Sequence, residues 1–241
     1  MTEIKTLVYF DLEATGLRSF GRPRITELSC VAMNVQDFPH MNVTILSYLK
    51  QGVKNVEILL PRVLNKLTIC VYPMTTVMPD VASLTNLDNY NLSGQAKFDK
   101  NTGEMLNSFL SRLPSPVCLV AHNGNSYDFP LLKAEMKKAG IALESDIFCV
   151  DSYLGTREIF KQKERCNLAE DSMLNYSSPL SFSLVNLHKH LLGCLPSVSH
   201  GSEADCLALL RITVVMGKDW LDWVKDNCCC FTKFTEMWLM T

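Results

Sequence analysis

The segment LVYFDLEATG, residues 7–16, decides the fold and the chemistry of this chain. Its first half is a short run of apolar and aromatic residues, which predicts a buried β-strand. Asp11 and Glu13 are two residues apart, so on a strand their side chains leave from the same face. Two neighbouring carboxylates at a buried position repel each other unless a cation lies between them. Ligands that are all oxygen favour Mg²⁺ or Mn²⁺ over zinc.

The composition narrows the class of protein. The chain has 241 residues, 47% of them hydrophobic, and a formal net charge of -2. This length is enough for one α/β domain with a large core, or for two small domains. No apolar run reaches the ~18 residues of a transmembrane helix, and the N-terminus lacks the pattern of a secretory signal. The near-neutral charge lacks the global basic footprint of a nucleic-acid binder, so an anionic partner must be attracted by local patches and bound metal.

Ten cysteines are scattered through apolar segments. This usage is typical of reduced core thiols in an intracellular protein, in the nucleus or the cytoplasm. We expect no membrane association. The abrupt start at a strand and the end at Thr241 fit either a whole protein or a domain of a longer one.

Alternating apolar patterns predict the strands of a mixed sheet. Residues 25–34 and 66–72 predict a second and a third strand, which form an antiparallel meander with the first. Residues 37–64, between them, have no clear period and predict no element. The run VCLVA at 117–121 has no polar face, which predicts a central parallel strand, and residues 148–151 predict another.

Helical patterns alternate with these later strands. They are found at residues 102–113, 129–139, 152–163, 184–192, 202–216 and 220–224, while residues 79–87 predict a short helix or a turn. The pattern at 202–216 predicts a strongly amphipathic helix. The polar, irregular residues 165–179 predict a mobile loop. The order of elements predicts an α/β fold, with a mixed sheet that is antiparallel in its first three strands, then parallel, and flanked by helices on both faces.

Further polar residues lie where an active site is expected. Residues 122–128 join a buried strand to a helix, and active sites of open α/β sheets collect at that end. Asp128 and Asp205 each fit two roles, as site carboxylates or as polar residues that cap a helix N-terminus. His200, in a loop before a helix, is either catalytic or an ordinary exposed histidine. For His122 we expect a structural hydrogen bond.

Taken together, these segments resemble the DEDDh family of 3′→5′ exonucleases, and most closely the three-prime repair exonucleases. Three motifs carry the resemblance: FDLEATGL at 10–17, AHNG at 121–124 followed by YDFPLL at 127–132, and HGSEADCLALL at 200–210. The runs CVDS at 149–152 and SFSL at 181–184 also correspond. The resemblance covers nearly the whole chain in order. It implies an RNase H-like fold and a single DEDDh exonuclease domain over residues 1–241.

The resemblance also implies the chemistry. The expected activity is metal-dependent release of 5′-mononucleotides from DNA 3′ ends, with single-stranded or frayed duplex DNA preferred. The implied catalytic set is Asp11, Glu13, Asp128, His200 and Asp205. The four acids would hold two Mg²⁺ ions, for which Mn²⁺ can substitute, and Asp11 would bridge both ions. His200 would be the general base, since its ordinary pKa is near 6.5.

Six residues are candidates for substrate binding: Ala14, Thr15, Leu17, Leu84, Tyr127 and Arg165. The backbone at Ala14 and Thr15 would meet the 3′ hydroxyl, and Tyr127 would stack on a base or contact a phosphate. Leu17 and Leu84 fit wedging and packing against bases, or ordinary core packing. Arg165, in the basic run 161–165, fits a phosphate contact or a solvated face, as do Arg18, Arg22 and Arg24.

Several alternatives stay open on the sequence alone. The same chemistry fits RNA as a substrate, since the sequence does not show how the site treats the 2′ hydroxyl. Asn125 and Ser126 replace an acidic and a basic residue of the family pattern, which keeps open a catalytically weak nuclease fold that serves as a nucleic-acid-binding or scaffold module. The resemblance implies a homodimer, and residues 67–72 are the expected edge strand for pairing.

Overall fold

A computed structural model describes residues 3–52, 60–144, 146–165, 174, 176–196 and 201–239. Its strands form one sheet in the order β3-β2-β1-β4-β5-β6. The strands are β1 (Thr6–Ala14), β2 (Ile25–Asn34), β3 (Asn65–Cys70), β4 (Val117–Ala121), β5 (Ile147–Asp151) and β6 (Cys229–Cys230). β1, β2 and β3 pair antiparallel, while β1, β4 and β5 pair parallel. The predicted mixed sheet is therefore confirmed.

The α-helices are α1 (Phe38–Lys50), α2 (Pro79–Thr85), α3 (Lys100–Ser111), α4 (Asp128–Lys138), α5 (Ser152–Arg165), α6 (Leu184–Leu192), α7 (Ser202–Met216) and α8 (Lys218–Asn227). Every helix predicted from the sequence is present. Two elements were not predicted: α1, within residues 37–64, and the short β6, which pairs antiparallel with β5. The loop predicted at residues 165–179 lies mostly outside the described residues.

Alternate residues of β1 face two separate cores. Leu7 and Tyr9 pack in the core that contains α1, α6 and α7. Val8 and Phe10 pack in the core that contains α3 and α4. Helices therefore cover both faces, as predicted. Because side chains alternate along a strand, the acids that follow at odd positions of β1 lie on the α7 face.

The prediction that α7 is strongly amphipathic is wrong. Its residues 208–216 are all buried, so the second half of the helix has no solvent face. The reason is α1, which packs on the outer side of α7. The Asn42 side chain donates hydrogen bonds to the carbonyls of Val214 and Val215, at 2.7 and 2.9 Å. Within the described part of the chain, no helix is both long enough and apolar enough to cross a bilayer.

Candidate active site

Three carboxylates from distant parts of the chain meet on the α7 face of the sheet. Asp11, Glu13 and Asp205 each offer one oxygen atom, and these three atoms lie within 4.8 Å of one another. β1 supplies the first two from one face, because they are two residues apart. α7 packs across β1 and β2 and supplies the third. The structure thus brings together three of the four acids that the sequence singled out.

The first turn of α7 is anchored to the sheet beside this cluster. The hydroxyl of Ser202 lies 2.7 Å from that of Ser29 on β2. Glu203 accepts hydrogen bonds from Lys66, at 2.8 Å, and from Thr68, at 3.1 Å, both on β3. The capping box considered for this helix does not form, because Ser202 is its first residue and caps no backbone N–H. These contacts fix the direction of Asp205, which lies in the same turn of α7.

Asp128 lies at the edge of the cluster, as the first residue of α4. It is buried, and Tyr127 rather than Asp128 occupies the N-cap position. Its carboxylate forms a hydrogen bond with the backbone of Leu12 in β1. After burial, its charge raises the pKa of Asp11 more than the charge of any other neighbouring acid does. Asp128 therefore lies close to Asp11, although it is not one of the three acids within 4.8 Å.

Burial and mutual repulsion make these acids hold protons. Burial raises the pKa of Asp11 well above its usual range, and the charges of its acidic neighbours add to this. Burial raises the pKa of Glu13 to about 7, with a further rise from the charge of Asp205. Burial also raises the pKa of Asp128 to about 7. A divalent cation among these oxygens would offset the repulsion, so the donor set fits an oxygen-preferring metal ion.

Glu27 is a further acid at the site, which the sequence analysis missed. The register of β1 and β2 places it directly opposite Glu13. Burial raises the pKa of Glu27, and a hydrogen bond with Ser202 opposes that rise. Its charge raises the pKa of Glu13 in turn. Only the strand register reveals this residue, because nothing in its local sequence separates it from other polar residues on a strand.

Asp151 organises the loop that leads to Asp128, and it too was missed as a site residue. Its carboxylate accepts backbone N–H bonds from Asn123 at 3.0 Å, Asn125 at 3.1 Å and Tyr153 at 2.9 Å. Asn123 adopts a φ of 63°, which the loop needs to turn back toward this acceptor. The position of Asp151 at the end of a buried parallel strand was the available signal.

His122 has the structural hydrogen bonds that the sequence predicted. Its Nε2 lies 2.9 Å from the carbonyl of Phe182, which can only accept, so Nε2 carries the proton. Its Nδ1 lies 2.9 Å from the hydroxyl of Ser152. Burial lowers the pKa of His122, which favours the neutral ring. The other histidine singled out, His200, lies outside the described residues.

Three of the side chains predicted to contact substrate, those of Leu17, Leu84 and Arg165, are exposed. Leu17 is 62% exposed and Leu84 is 51% exposed, so core packing is the wrong interpretation for both leucines. Arg165 is exposed at the last turn of α5. Asn86 ends α2 with a φ of 59°. Asparagine tolerates this left-handed conformation better than most residues do.

The backbone after β1 is already hydrogen bonded. Ala14 and Thr15 are buried, and the N–H of Thr15 donates to the carbonyl of Arg24 at 2.9 Å. The hydroxyl of Tyr127 donates its one proton to the carbonyl of Gly16, at 2.6 Å. Tyr127 thus joins the start of α4 to the loop after β1, and its ring is the part left for a base.

Sequence comparison identifies relatives of one kind. The chain is 34% identical over 241 residues to three-prime repair exonuclease 1 of Bos taurus, which covers 99% of this chain and 72% of that protein. It is 36% identical to human three-prime repair exonuclease 1 with the same coverage. It is 32% identical to human three prime repair exonuclease 2, over 92% of this chain and 88% of that protein. No family model matches the chain.

Solved structures with the same fold are also exonucleases or nucleases. The Escherichia coli exonuclease I complex with single-stranded DNA superposes with a TM-score of 0.64 at 13% identity, over 92% of this chain and 43% of that one. Cell-death related nuclease 4 superposes with a TM-score of 0.62 at 13% identity, over 95% of this chain and 66% of that one. At this identity the likeness shows the fold alone, and the chain spans less than half of exonuclease I.

Proposed function

This chain belongs to the three-prime repair exonuclease family and is a 3′→5′ exodeoxyribonuclease, and we propose that it releases 5′-mononucleotides from single-stranded or frayed DNA 3′ ends by hydrolysis at the acidic cluster. The observation that carries the proposal is the convergence of Asp11, Glu13 and Asp205 to within 4.8 Å. A scaffold that had lost its chemistry would have no need of three repelling acids so close together.

The acids hold divalent metal in this proposal, and Mg²⁺ is the ion that their oxygen ligands favour. Asp11, Glu13 and Asp205 would hold the metal together, and Asp128 would be the fourth acid to hold it. When bound, the ions supply an activated water and neutralise charge on the leaving 3′ oxygen. His200 takes the proton from the water, since a histidine is half ionised near neutral pH.

Single-stranded DNA is the proposed substrate for two reasons. A protein with the same fold, exonuclease I, is known in complex with single-stranded DNA. In addition, Leu17 and Leu84 are large exposed apolar side chains, and Leu17 lies four residues beyond Glu13. Leu17 separates the terminal bases and Leu84 packs on a base face, while the ring of Tyr127 stacks. Arg165 contacts a phosphate, and the backbone at Ala14 and Thr15 lies beside the 3′ hydroxyl.

We also propose a homodimer and an intracellular location. β3 is at the edge of the sheet and its residues are exposed or half-buried, so a second copy can pair with it. Cys30, Cys118, Cys149 and Cys206 are buried free thiols, as in a reducing compartment such as the nucleus or the cytoplasm. Residues 1–241 together form one exonuclease domain in this proposal.

The test is trimming of a 5′-labelled single-stranded DNA oligonucleotide with Mg²⁺. Wild-type protein should shorten it from the 3′ end, chelation with EDTA should stop the reaction, and Asp205→Ala should be inactive while still folded. Asp226→Ala, at an exposed acid on α8, is the matched control and should trim normally. Trimming that persists in Asp205→Ala or in EDTA refutes the proposal, and faster trimming of a matched RNA refutes the choice of DNA.

A further inference from the structure

A basic cavity lies on the α4 side of the sheet, beside the loop that follows β1. Its volume is about 530 Å³. The residues that form its charged and aromatic lining are Arg22, Arg24, Lys137, Lys138, Glu236 and Trp238. Four of these six side chains are cationic and one is anionic, on a chain whose formal net charge is -2. The lining of the cavity therefore carries an excess of positive charge.

Two of the four cations already have carboxylate partners. Arg24 forms a bidentate pair with the buried Glu135, at 2.5 and 2.9 Å, so it is not the free phosphate ligand that the sequence suggested. Lys137 pairs with Glu236, at 2.9 Å.

Arg22 and Lys138 are exposed, and neither forms an ion pair within the described parts of the chain. These two positive charges at the rim are available to an anion.

An aromatic ring forms part of the wall beside these charges. The indole N–H of Trp238 donates to the carbonyl of Pro23, at 3.3 Å, which fixes the ring. The guanidinium of Arg24 lies 5.4 Å from the ring centroid, and the ammonium of Lys138 lies 5.8 Å from it. Cations combined with an aromatic surface are typical of sites that bind single-stranded nucleic acid.

Hydrogen bonds between Arg24, which lines the cavity, and Thr15, the residue after β1, connect the cavity to the strand that carries Asp11 and Glu13. The N–H of Arg24 donates to the hydroxyl of Thr15, at 3.1 Å, and the N–H of Thr15 donates back to the carbonyl of Arg24, at 2.9 Å. Thr15 is two residues past Glu13, which is about 7 Å along a strand. A DNA strand whose 3′ end lies at the carboxylates on the α7 face would turn round the end of β1, past the exposed Leu17, to reach the cavity on the α4 side.

We propose that this cavity binds the phosphate backbone of the substrate a few nucleotides from the 3′ end, through Arg22 and Lys138. The inference rests on the proposed function. An acidic peptide is the other polyanion that positive charge would attract. The aromatic wall favours nucleic acid, because bases stack on an aromatic ring.

The test compares Arg22→Ala/Lys138→Ala with Arg112→Ala/Lys50→Ala, a control that removes one exposed arginine and one exposed lysine elsewhere. Each variant is assayed on a long single-stranded DNA and on a trinucleotide too short to reach the cavity. For the long DNA we expect KM to rise roughly tenfold in the first variant only, and the slope of log Kd against log salt concentration to fall by ~1.4, for two lost phosphate contacts. Trimming of the trinucleotide should be unchanged.

Several results would overturn this inference without touching the proposed function. One is an equal KM for the two double variants on long DNA, with both trimming normally. Another is an equal loss on the trinucleotide, which would indicate damage to the catalytic site. A third is a polyglutamate peptide that binds wild-type protein through Arg22 and Lys138 while long DNA is unaffected by their loss. A wild-type protein that trims neither substrate would instead refute the proposed function itself.

Discussion

Replacing Glu13 with glutamine should stabilise the metal-free protein at alkaline pH and abolish trimming. Glu13 has a pKa of about 7 in the folded protein, against a usual value of 4.5. Between these two values the folded state binds a proton that the unfolded state has released. The free energy of unfolding therefore falls as the pH rises from 4.5 to about 7, and the stability present at acidic pH is lost.

The size of this effect follows from the same two values. A rise in the pKa from 4.5 to about 7 corresponds to at most about 3.4 kcal/mol. Because Glu13 is only half-buried, solvent screening reduces this to roughly 2 kcal/mol. Glu13→Gln removes the titrating group, so the metal-free variant should be more stable than the wild type by about that amount at about pH 8, with a much smaller difference at about pH 4.

Urea unfolding in EDTA at both pH values measures the difference, and the same series with Mg²⁺ shows how metal changes it. Mg²⁺ should stabilise wild-type protein at alkaline pH more than it stabilises Glu13→Gln, since the variant has lost a ligand and a repelling charge. Glu104→Gln, at an exposed acid on α3, is the control and should follow the wild type. A Glu13→Gln protein that is less stable than the wild type at about pH 8 in EDTA, or that still trims DNA, would refute the reasoning.

Three other substitutions test the surroundings of the cluster. Glu135→Gln leaves the largely buried Arg24 without its charged partner. In urea titrations this should lower the free energy of unfolding by about 3 kcal/mol. A change below about 1 kcal/mol would argue against the buried pair. Asp151→Ala removes the acceptor of three backbone N–H groups. It should lower the free energy of unfolding by about 2 kcal/mol and also reduce kcat. An unchanged kcat would show that the loop does not position Asp128. Tyr127→Phe loses one hydrogen bond, which should lower the free energy of unfolding by about 1 kcal/mol. In trimming assays it should raise KM more than it lowers kcat. The reverse pattern would count against a role in binding substrate.

The parts of the fold that the sequence predicted correctly are those with strong local patterns. The apolar run of β1 required a buried strand, and the spacing of Asp11 and Glu13 then placed both acids on one face. The helices at Leu184–Leu192 and Ser202–Met216 were predicted with the observed limits, because a glycine follows each helix at its C-terminus.

The parts that could not be predicted depend on tertiary contacts. α1 has no clear pattern of its own, and its packing on α7 through Asn42 is what makes both helices half or wholly buried. Glu27 joins the site only because β2 pairs with β1 in one particular register. Asp151 acts through backbone N–H groups of Asn123 and Asn125, which the turn of the loop after β4 brings to it, and through that of Tyr153 in α5.

Anomalous scattering from a crystal soaked in Mn²⁺ would show whether the acidic cluster holds two metal ions, because it locates the ions themselves. We expect one ion among the oxygens of Asp11, Glu13 and Asp205, and a second near Asp11 and Asp128. Two peaks at these positions, both lost in Asp11→Ala, would be the expected result. The absence of any peak among the four carboxylates at saturating Mn²⁺ would contradict it.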